Sequence, residues 1–311
     1  MRTDPVRPDS NRRLLLLCAD ATPEIGAGHA MRLAALAEAW SALGLGTSRL
    51  HGQVTIPFVR ARLRALGVEL ATPPAEDTTG AIALLDSYDE RRRAEGARAP
   101  EAAMRVLVDD EGGAVPAGYH AVWNPNAHGS AALYAGFGGE VIAGEEAIPL
   151  RRDLPTWRGP HRRRVAVALG GGAIAPTLRA AMALLEPGAP LTGPGDWVPA
   201  AWEHLDSIDP WRAIARSSVL ITSAGTSLWE AAAVGIPVVV VRSAVNQTDG
   251  FRWAVDHGVP GVDALEPGDA LALANRIASA LQRAAQLPRI RGGADVVARR
   301  LHALAARELV A

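Results

Sequence analysis

The sequence predicts an α/β protein whose two domains face each other across a cleft, and three observations support this fold class. The chain has 311 residues, a length typical of about two domains. Short apolar runs alternate with longer amphipathic stretches, as in βα units around a mostly parallel sheet. Residues 150–163 interrupt this pattern with two prolines and no apolar periodicity, which indicates a linker. We therefore expect Rossmann-like domains over residues 12–150 and 164–311, joined by a linker at 151–163.

The predicted elements follow in chain order from the apolar runs. After a polar tail at residues 1–11, the clearest strands of the first domain are Leu14–Ala19, Thr47–Leu50, Ile82–Asp86 and Arg105–Asp109. Two shorter strands and two helices are predicted at Val122–Asn124, Val141–Ala143, Met31–Leu43 and Ile56–Leu66. In the second domain the predicted strands are Val165–Leu169, Val219–Thr222 and Pro237–Val241. Its predicted helices, the last of which is expected to pack back on the first domain, are Ser227–Ala233, Thr248–Asp256, Pro267–Leu281 and Gly293–Leu309.

The composition excludes several classes of function. The 32 basic and 33 acidic residues leave a formal charge of -1, so no overall field favours nucleic acid or an anionic membrane. Every one of the 32 is arginine, and the absence of lysine excludes a Schiff-base lysine, a pyridoxal-phosphate enzyme and a P-loop ATPase. The lone Cys18 permits neither an intramolecular disulfide nor a multi-cysteine zinc site. The run Leu14–Ala19 is too short to cross a bilayer, so we expect a cytoplasmic protein without a membrane segment, either a monomer or a weak homodimer.

A glycine-histidine loop, IGAGHAMR at residues 25–32, follows the first predicted strand. Gly26 and Gly28 let the backbone turn tightly and approach a ligand closely. The next helix N-terminus offers free N–H groups to a phosphate, and His29 is placed to face the crevice beyond the strands' carboxyl ends. A simple glycine turn with a helix-capping histidine explains the same pattern. Because no third glycine follows at dinucleotide spacing, an NAD site is not supported.

A second predicted strand, loop and helix N-terminus of the same kind is found in VLITSAGTSLWE at residues 219–230. The residues at the start of its helix are small or carry hydroxyls, which suits a diphosphate: Ser223, Ala224, Gly225, Thr226 and Ser227. Glu230 lies about one turn into the helix, where a carboxylate can accept hydrogen bonds from both hydroxyls of a ribose. The alternative interpretation is that Glu230 only stabilises the positive end of the helix.

Three further groups of candidate site residues lie at or just after the carboxyl ends of predicted strands. Asn246 and Gln247 are suited to orient a sugar or a water, although asparagine is also a common helix N-cap. Gly171 belongs to a run of three glycines that either contacts a phosphate or forms only a turn. Asp86 and Tyr88 bring polar groups to the end of a strand predicted to be buried.

Other patterns favour ordinary structural interpretations. Adjacent carboxylates at a strand end do not all face one point, so residues 109–111 (DDE) predict a solvated acidic turn and no metal site. Arg60, Arg62 and Arg64 do not share one helix face and predict a solvated helix. The eight tryptophans are scattered, so we expect them to pack in the cores, and nothing in their spacing shows which of them line the cleft.

Taken in order, these motifs resemble the GT-B superfamily of nucleotide-sugar enzymes. More narrowly, the chain resembles the UDP-sugar hydrolase family of pseudaminic acid biosynthesis and its spore-coat-polysaccharide relatives, over roughly residues 14–257. The matching residues are Gly26, Gly28, His29, Arg32, Asp86, Tyr88, Asp109, Asp110, Asn124, Asn126, Gly144, Glu145, Glu146, Ser223, Ala224, Gly225, Glu230, Asn246 and Gln247. The glycine run that contains Gly171 departs from the family pattern, because it lacks the usual preceding serine and following aspartate.

The resemblance implies a GT-B-type fold and hydrolysis of a UDP-linked acetamido or diacetamido deoxy sugar to UDP and the free sugar, with neither a metal nor a cofactor. His29 matches the catalytic histidine that activates water. Tyr88 and Asn246 match positions that line the sugar at the catalytic centre, and Glu230 matches the acid that holds the uridine ribose. The other residues expected to bind the substrate are Gly26, Gly28, Arg32, Asp86, Gly171, Ser223, Ala224, Gly225, Thr226, Ser227 and Gln247.

Two alternatives stay open. One is an inverting glycosyltransferase of the same fold, in which His29 deprotonates a sugar or lipid hydroxyl in place of water. An exposed apolar or basic acceptor surface on the first domain would favour it. The other is a catalytically inactive nucleotide-sugar-binding protein.

Overall fold

The computed structural model describes residues 12–71, 78–96, 102–159, 164–170, 174–185, 191–193, 203–204 and 210–308. Within these ranges the chain forms two parallel β-sheets, one in each half of the chain. The predicted tail, residues 1–11, and positions 160–163 of the predicted linker lie outside them.

The first sheet has seven strands. They are β1 (Arg13–Cys18), β2 (Gly46–His51), β3 (Glu69–Ala71), β4 (Ile82–Asp86), β5 (Met104–Val108), β6 (Ala121–Trp123) and β7 (Glu140–Ile142). Their order across the sheet is β3-β2-β1-β4-β5-β6-β7, and the paired strands run parallel. The α-helices of this half are α1 (Gly28–Ala42), α2 (Pro57–Ala65) and α3 (Glu90–Gly96), and 3-10 turns occupy Ala131–Tyr134 and Glu145–Ala147.

The second sheet has six strands. They are β8 (Val165–Ala168), β9 (Leu191–Gly193), β10 (Glu203–His204), β11 (Val219–Ser223), β12 (Val238–Arg242) and β13 (Gly261–Asp263), in the order β10-β9-β8-β11-β12-β13. The helices that follow the linker are α4 (Pro176–Leu184), α5 (Trp211–Ile214), α6 (Thr226–Val234), α7 (Thr248–Asp256), α8 (Ala270–Leu281) and α9 (Ala294–Glu308). A 3-10 turn at Val245–Gln247 leads into α7.

Both sheets reverse their strand order beside the first strand of their half. β1 lies between β2 and β4, and β8 lies between β9 and β11. Loops that leave the carboxyl ends of such strands diverge and open a crevice, which is where doubly wound sheets bind ligands. The segment between β1 and α1 and the segment between β11 and α6 both start at these crevices.

The C-terminal helix ties the end of the chain to the first half. Val297 and Leu301 of α9 are fully buried in the same core as Trp40 of α1. Burial of a leucine-sized side chain stabilises a fold by about 1.5–3 kcal/mol, so α9 stabilises the first domain although it follows the second in sequence. No helix in the described part of the chain is both long enough and apolar enough to cross a membrane.

Candidate active site

A cavity of about 410 Å³ opens at the carboxyl ends of both sheets, a volume typical of small-molecule sites. Segments that follow β1, β4, β5 and β6 line it from one side, and segments that follow β8, β11 and β12 line it from the other. It brings together most of the predicted site residues: Gly26, Gly28, His29, Arg32, Tyr88, Ser223, Ala224, Gly225, Thr226, Ser227, Glu230, Asn246 and Gln247. Asp86 is not part of the cavity wall, and Gly171 lies outside the described residues.

Two helix N-termini meet in this cavity. A Cβ atom on Gly28, the first residue of α1, would lie only 3.7 Å from Oγ1 of Thr226, the first residue of α6. Neither of these two N-termini has a side-chain cap in the structure described here. The first N–H groups of a helix have no partner within the helix, and each N-terminus carries about half a positive charge. Together they place partial positive charge in this part of the cavity, which suits a polyanion such as a diphosphate.

His29 lies at the start of α1 and is held in place by a buried carboxylate from β4. Its Nδ1 atom makes a short hydrogen bond to Oδ1 of Asp86, the last residue of β4. Asp86 is 3% exposed and also accepts bonds of 2.6 Å from Nε and Nη2 of Arg32. The structure thus places Asp86 behind the imidazole and the guanidinium, where it positions them and has no open face toward the cavity.

The charge state of Asp86 fixes the tautomer of the histidine. Burial alone would raise the pKa of Asp86, but the charges and hydrogen bonds of Arg32 and His29 outweigh it and hold the pKa far below its ordinary value. An ionised carboxylate only accepts hydrogen bonds, so Nδ1 of a neutral His29 must carry the proton. The lone pair of the ring is then on Nε2, which is the arrangement a general base requires.

A second carboxylate, Asp110, whose side chain is 12% exposed, lies on the other side of Arg32. It accepts hydrogen bonds from Nη1 of Arg32 at 2.7 and 2.9 Å, from Nδ2 of Asn126 at 2.8 Å and from the Tyr88 hydroxyl at 2.5 Å. Burial opposes ionisation of Asp110, but the Arg32 charge prevails and lowers the pKa. Burial of the phenol end and the neighbouring Asp110 charge raise the pKa of Tyr88, so this residue keeps its proton.

Tyr88 from the first half of the chain and the pair Asn246 and Gln247 from the second half line the same cavity. The Tyr88 ring packs edge-on against His29, with 4.8 Å between ring centroids. The Oε1 atom of Gln247 accepts hydrogen bonds from the N–H and hydroxyl of Ser243, which braces the turn before α7. Gln247 therefore stabilises the loop that carries Asn246.

Glu230 lies at the other end of the cavity wall, on α6. It is 8% exposed and accepts a hydrogen bond of 3.1 Å from Nε1 of Trp211. Burial raises its pKa to about 7, although the charge of Arg151 and the Trp211 bond act in the opposite direction. A carboxyl that ionises near neutral pH can switch between accepting and donating hydrogen bonds over a modest pH range.

The structure corrects two expectations about charged side chains. Asp109 and Asp110 do not form a solvated turn: Asp109 is 4% exposed and bonds to Arg93 and Tyr134, while Asp110 binds Arg32. Arg62 is likewise not part of a solvated face, because its side chain is 11% exposed and pairs with Glu38 and Asp153 beside the cavity. Each of these charges is wholly or largely shielded from solvent, and a partner distant in sequence neutralises it.

Several cavity residues were absent from the predicted site, namely Asp110, Asn126, His128, Arg151 and Trp211. Asp110 and Asn126 match the family motifs, but the sequence assigns them no role, since only the strand order places them beside Arg32. No group of three or more histidine, cysteine, aspartate or glutamate side chains in the described ranges is arranged to hold a metal ion.

Solved structures with this architecture cover nearly the whole chain. The spinosyn rhamnosyltransferase SpnG complexed with spinosyn aglycone gives a TM-score of 0.56 at 16% identity, over 95% of this chain and 96% of that chain. The same enzyme complexed with thymidine diphosphate gives a TM-score of 0.54 at 15% identity, over 95% of this chain and 96% of that chain. The glycosyltransferase of kitacinnamycin gives a TM-score of 0.50 at 15% identity, over 96% of this chain and 95% of that chain.

The chain has the GT-B fold. The predicted fold class, two Rossmann-like domains that face each other across a cleft, is therefore confirmed, and the cavity described above lies at that cleft. No family model matches the sequence, and no curated protein does. At these identities the structural likeness establishes the fold, and function has to be argued from the site itself.

Proposed function

We propose that this GT-B protein cleaves a nucleoside-diphosphate sugar by transferring the glycosyl group to water. In its specific form, the proposal is hydrolysis of a UDP-linked acetamido or diacetamido deoxy sugar to UDP and free sugar. The observation that carries it is the Asp86-bound His29, which lies on the first turn of a helix whose N-terminus faces that of α6. A base and a polyanion site thus share one cleft.

The cleft divides naturally into three parts for such a substrate. The diphosphate occupies the gap between the N-termini of α1 and α6, where N–H groups neutralise its charge. The ribose hydroxyls lie against Glu230, which needs its ionised form to accept both hydrogen bonds. The sugar lies beside Tyr88 and Asn246, next to the His29 ring.

In the proposed reaction, Nε2 of His29 accepts a proton from a water molecule as its oxygen attacks the anomeric carbon. The bond between that carbon and the diphosphate oxygen breaks, and the bonding electrons leave with UDP. The helix N-termini stabilise the negative charge of the departing diphosphate, so the step does not depend on a divalent cation. Attack from the face opposite the leaving group inverts the configuration at the anomeric carbon.

The buried charges around His29 support its role as the proton acceptor. Arg32 contributes one positive charge, and Asp86 and Asp110 contribute one negative charge each. These three groups carry a net charge of about -1 before the reaction. The positive charge of the imidazolium balances it once His29 holds the proton. Asp86 therefore both orients His29 and stabilises the imidazolium that forms.

The second candidate is transfer to a hydroxyl acceptor, and the cleft rim offers an observation in its favour. Ile25 on the first domain is 49% exposed and Val245 on the second is 77% exposed, and both line the cleft. Exposed apolar side chains at a binding site often contact an apolar ligand group. An apolar acceptor would then place its hydroxyl where the hydrolase places water.

A phosphorus NMR time course with purified protein tests the proposal. UDP-2-acetamido and UDP-2,4-diacetamido sugars are incubated with EDTA and without an acceptor, using wild type, His29→Ala and the control His257→Ala. His257 is exposed at the end of α7 and does not line the cleft. We expect UDP release by wild type and the control, and at least a hundredfold slower release by His29→Ala.

Donors that bind but stay intact would overturn hydrolysis and favour transfer, for which hydroxyl compounds are then screened. Release that stops with EDTA and returns with Mg²⁺ would overturn the metal-independent mechanism. Equal release by His29→Ala and wild type would refute the role of His29.

A further inference from the structure

The hydrogen bonds around Asp110 run in one direction only. Asp110 is ionised and so only accepts, and Arg32 only donates. Asn126 is also fixed, because its Oδ1 atom accepts a bond of 3.0 Å from Nε1 of Trp229, which leaves its Nδ2 group to donate to Asp110. Each end of this network is thus a group that cannot reverse its role.

This direction extends through Tyr88 to the sugar side of the cleft. The Tyr88 hydroxyl proton is committed to Asp110, so the phenol oxygen can only accept. Tyr88 is 40% exposed and lines the cleft.

We propose that Asp110 is a positioning residue that makes the hydroxyl oxygen of Tyr88 present only a hydrogen-bond acceptor to the glycosyl group of the substrate. The proposal rests on the proposed function, because it assumes that the sugar lies beside His29. It assigns a chemical class to one substituent near the reacting carbon: a hydrogen-bond donor, either a hydroxyl or an acylamino N–H. A substituent that only accepts, such as a methyl ether or a fluorine, leaves the Tyr88 oxygen unpaired in the occupied cleft and is rejected.

Asp110→Asn tests this polarity. The variant keeps the size of the side chain, but its amide group can donate to Tyr88, which frees the Tyr88 proton and removes the fixed direction. Asp109→Asn is the matched control, since the neighbouring Asp109 side chain is 4% exposed against 12% for Asp110 and bonds to Arg93, Tyr134 and the Gly112 N–H, none of which lines the cleft. Tyr88→Phe removes the acceptor itself.

The readout is the ratio of two dissociation constants, for UDP and for a non-cleaved UDP-acetamido sugar, measured by calorimetry at one pH. Binding is measured in the His29→Ala background so that no donor is consumed. We expect Asp110→Asn and Tyr88→Phe to weaken binding of the sugar nucleotide roughly tenfold relative to UDP. We expect the double variant to be no weaker than either single variant, because Asp110 acts through Tyr88.

The outcomes separate this inference from the proposed function. If wild type and the His29→Ala protein bind neither UDP nor the sugar nucleotide, the proposed function fails. If both bind and the ratio is unchanged in Asp110→Asn, the polarity argument is refuted and the proposed function stands. Additive losses in the double variant would show that Asp110 acts independently of Tyr88, which also overturns the inference.

Discussion

Replacing Asp86 with asparagine isolates the role of its charge from that of its shape. The amide has one acceptor, whereas Asp86 accepts from Nδ1 of His29 and from Nε and Nη2 of Arg32 on two oxygens. If the Asn oxygen faces Nε of Arg32, its NH₂ group faces His29 and forces the proton from Nδ1 to Nε2. If the Asn oxygen faces His29, its NH₂ group opposes a guanidinium N–H. Neither orientation preserves both the free lone pair on Nε2 of His29 and the ion pair with Arg32.

The size of the effect follows from these contacts. Breaking a buried charge pair costs about 3–5 kcal/mol of folding free energy, and loss of a positioned general base costs about 10²–10⁴ in rate. We therefore expect Asp86→Asn to lower kcat at least a hundredfold and to lower the free energy of unfolding by several kcal/mol. UDP affinity should change little, since Asp86 does not line the cleft.

The assay combines UDP release, UDP calorimetry and urea unfolding, with Asp109→Asn measured in parallel. The control loses a buried carboxylate of similar exposure and reports the general cost of such a change. A folded Asp86→Asn protein that retains kcat within about threefold of wild type would refute the argument that Asp86 sets the tautomer of His29.

The other predictions concern the nucleotide side of the cleft and the glycine loop. Because the pKa of Glu230 is about 7 in the folded protein and 4.5 in a model carboxyl, UDP should bind more tightly at pH 8 than at pH 6, and Glu230→Gln should bind weakly at both. Ionisation of Glu230 opposes folding as pH rises through this window, so wild type should lose about 3 kcal/mol of stability between pH 4 and pH 8 that Glu230→Gln does not lose. Gly26 has φ of +90°, so Gly26→Ala should lose about 1–2 kcal/mol in urea unfolding. Gly28→Ala should unfold like wild type but bind UDP less tightly, since its methyl group enters the gap beside Thr226.

The sheet strands with clear apolar runs were predictable from sequence, and the elements without such runs were not. The predicted strand Ile82–Asp86 and helix Thr248–Asp256 coincide with β4 and α7. The helix α3 has no buried residue and therefore no apolar periodicity to reveal it. The three-residue strand β3 is shorter than any pattern of alternation can identify.

The site was predictable where backbone geometry defines it and not where distant charges do. Glycines before a helix N-terminus mark a ligand loop in the local sequence, and this located both His29 and the loop at Ser223–Gly225. The environment of Asp110 depends on Arg32, 78 positions away. Only the order of β1, β4 and β5 in the sheet brings these residues together, and a local motif carries no information about that order.

For the proposed reaction, the separation of charge along the cleft explains how one site can both release an anion and take up a proton. Two uncapped helix N-termini place partial positive charge where the proposal places the diphosphate. Two carboxylates around Arg32 place net negative charge next to His29. In the proposed transition state the negative charge that grows on the diphosphate and the positive charge that grows on the imidazole each meet a preorganised partner of opposite sign. The same arrangement serves water or a hydroxyl as nucleophile, so the proposal assigns the choice between them to the exposed rim residues Ile25 and Val245 and not to the charged centre.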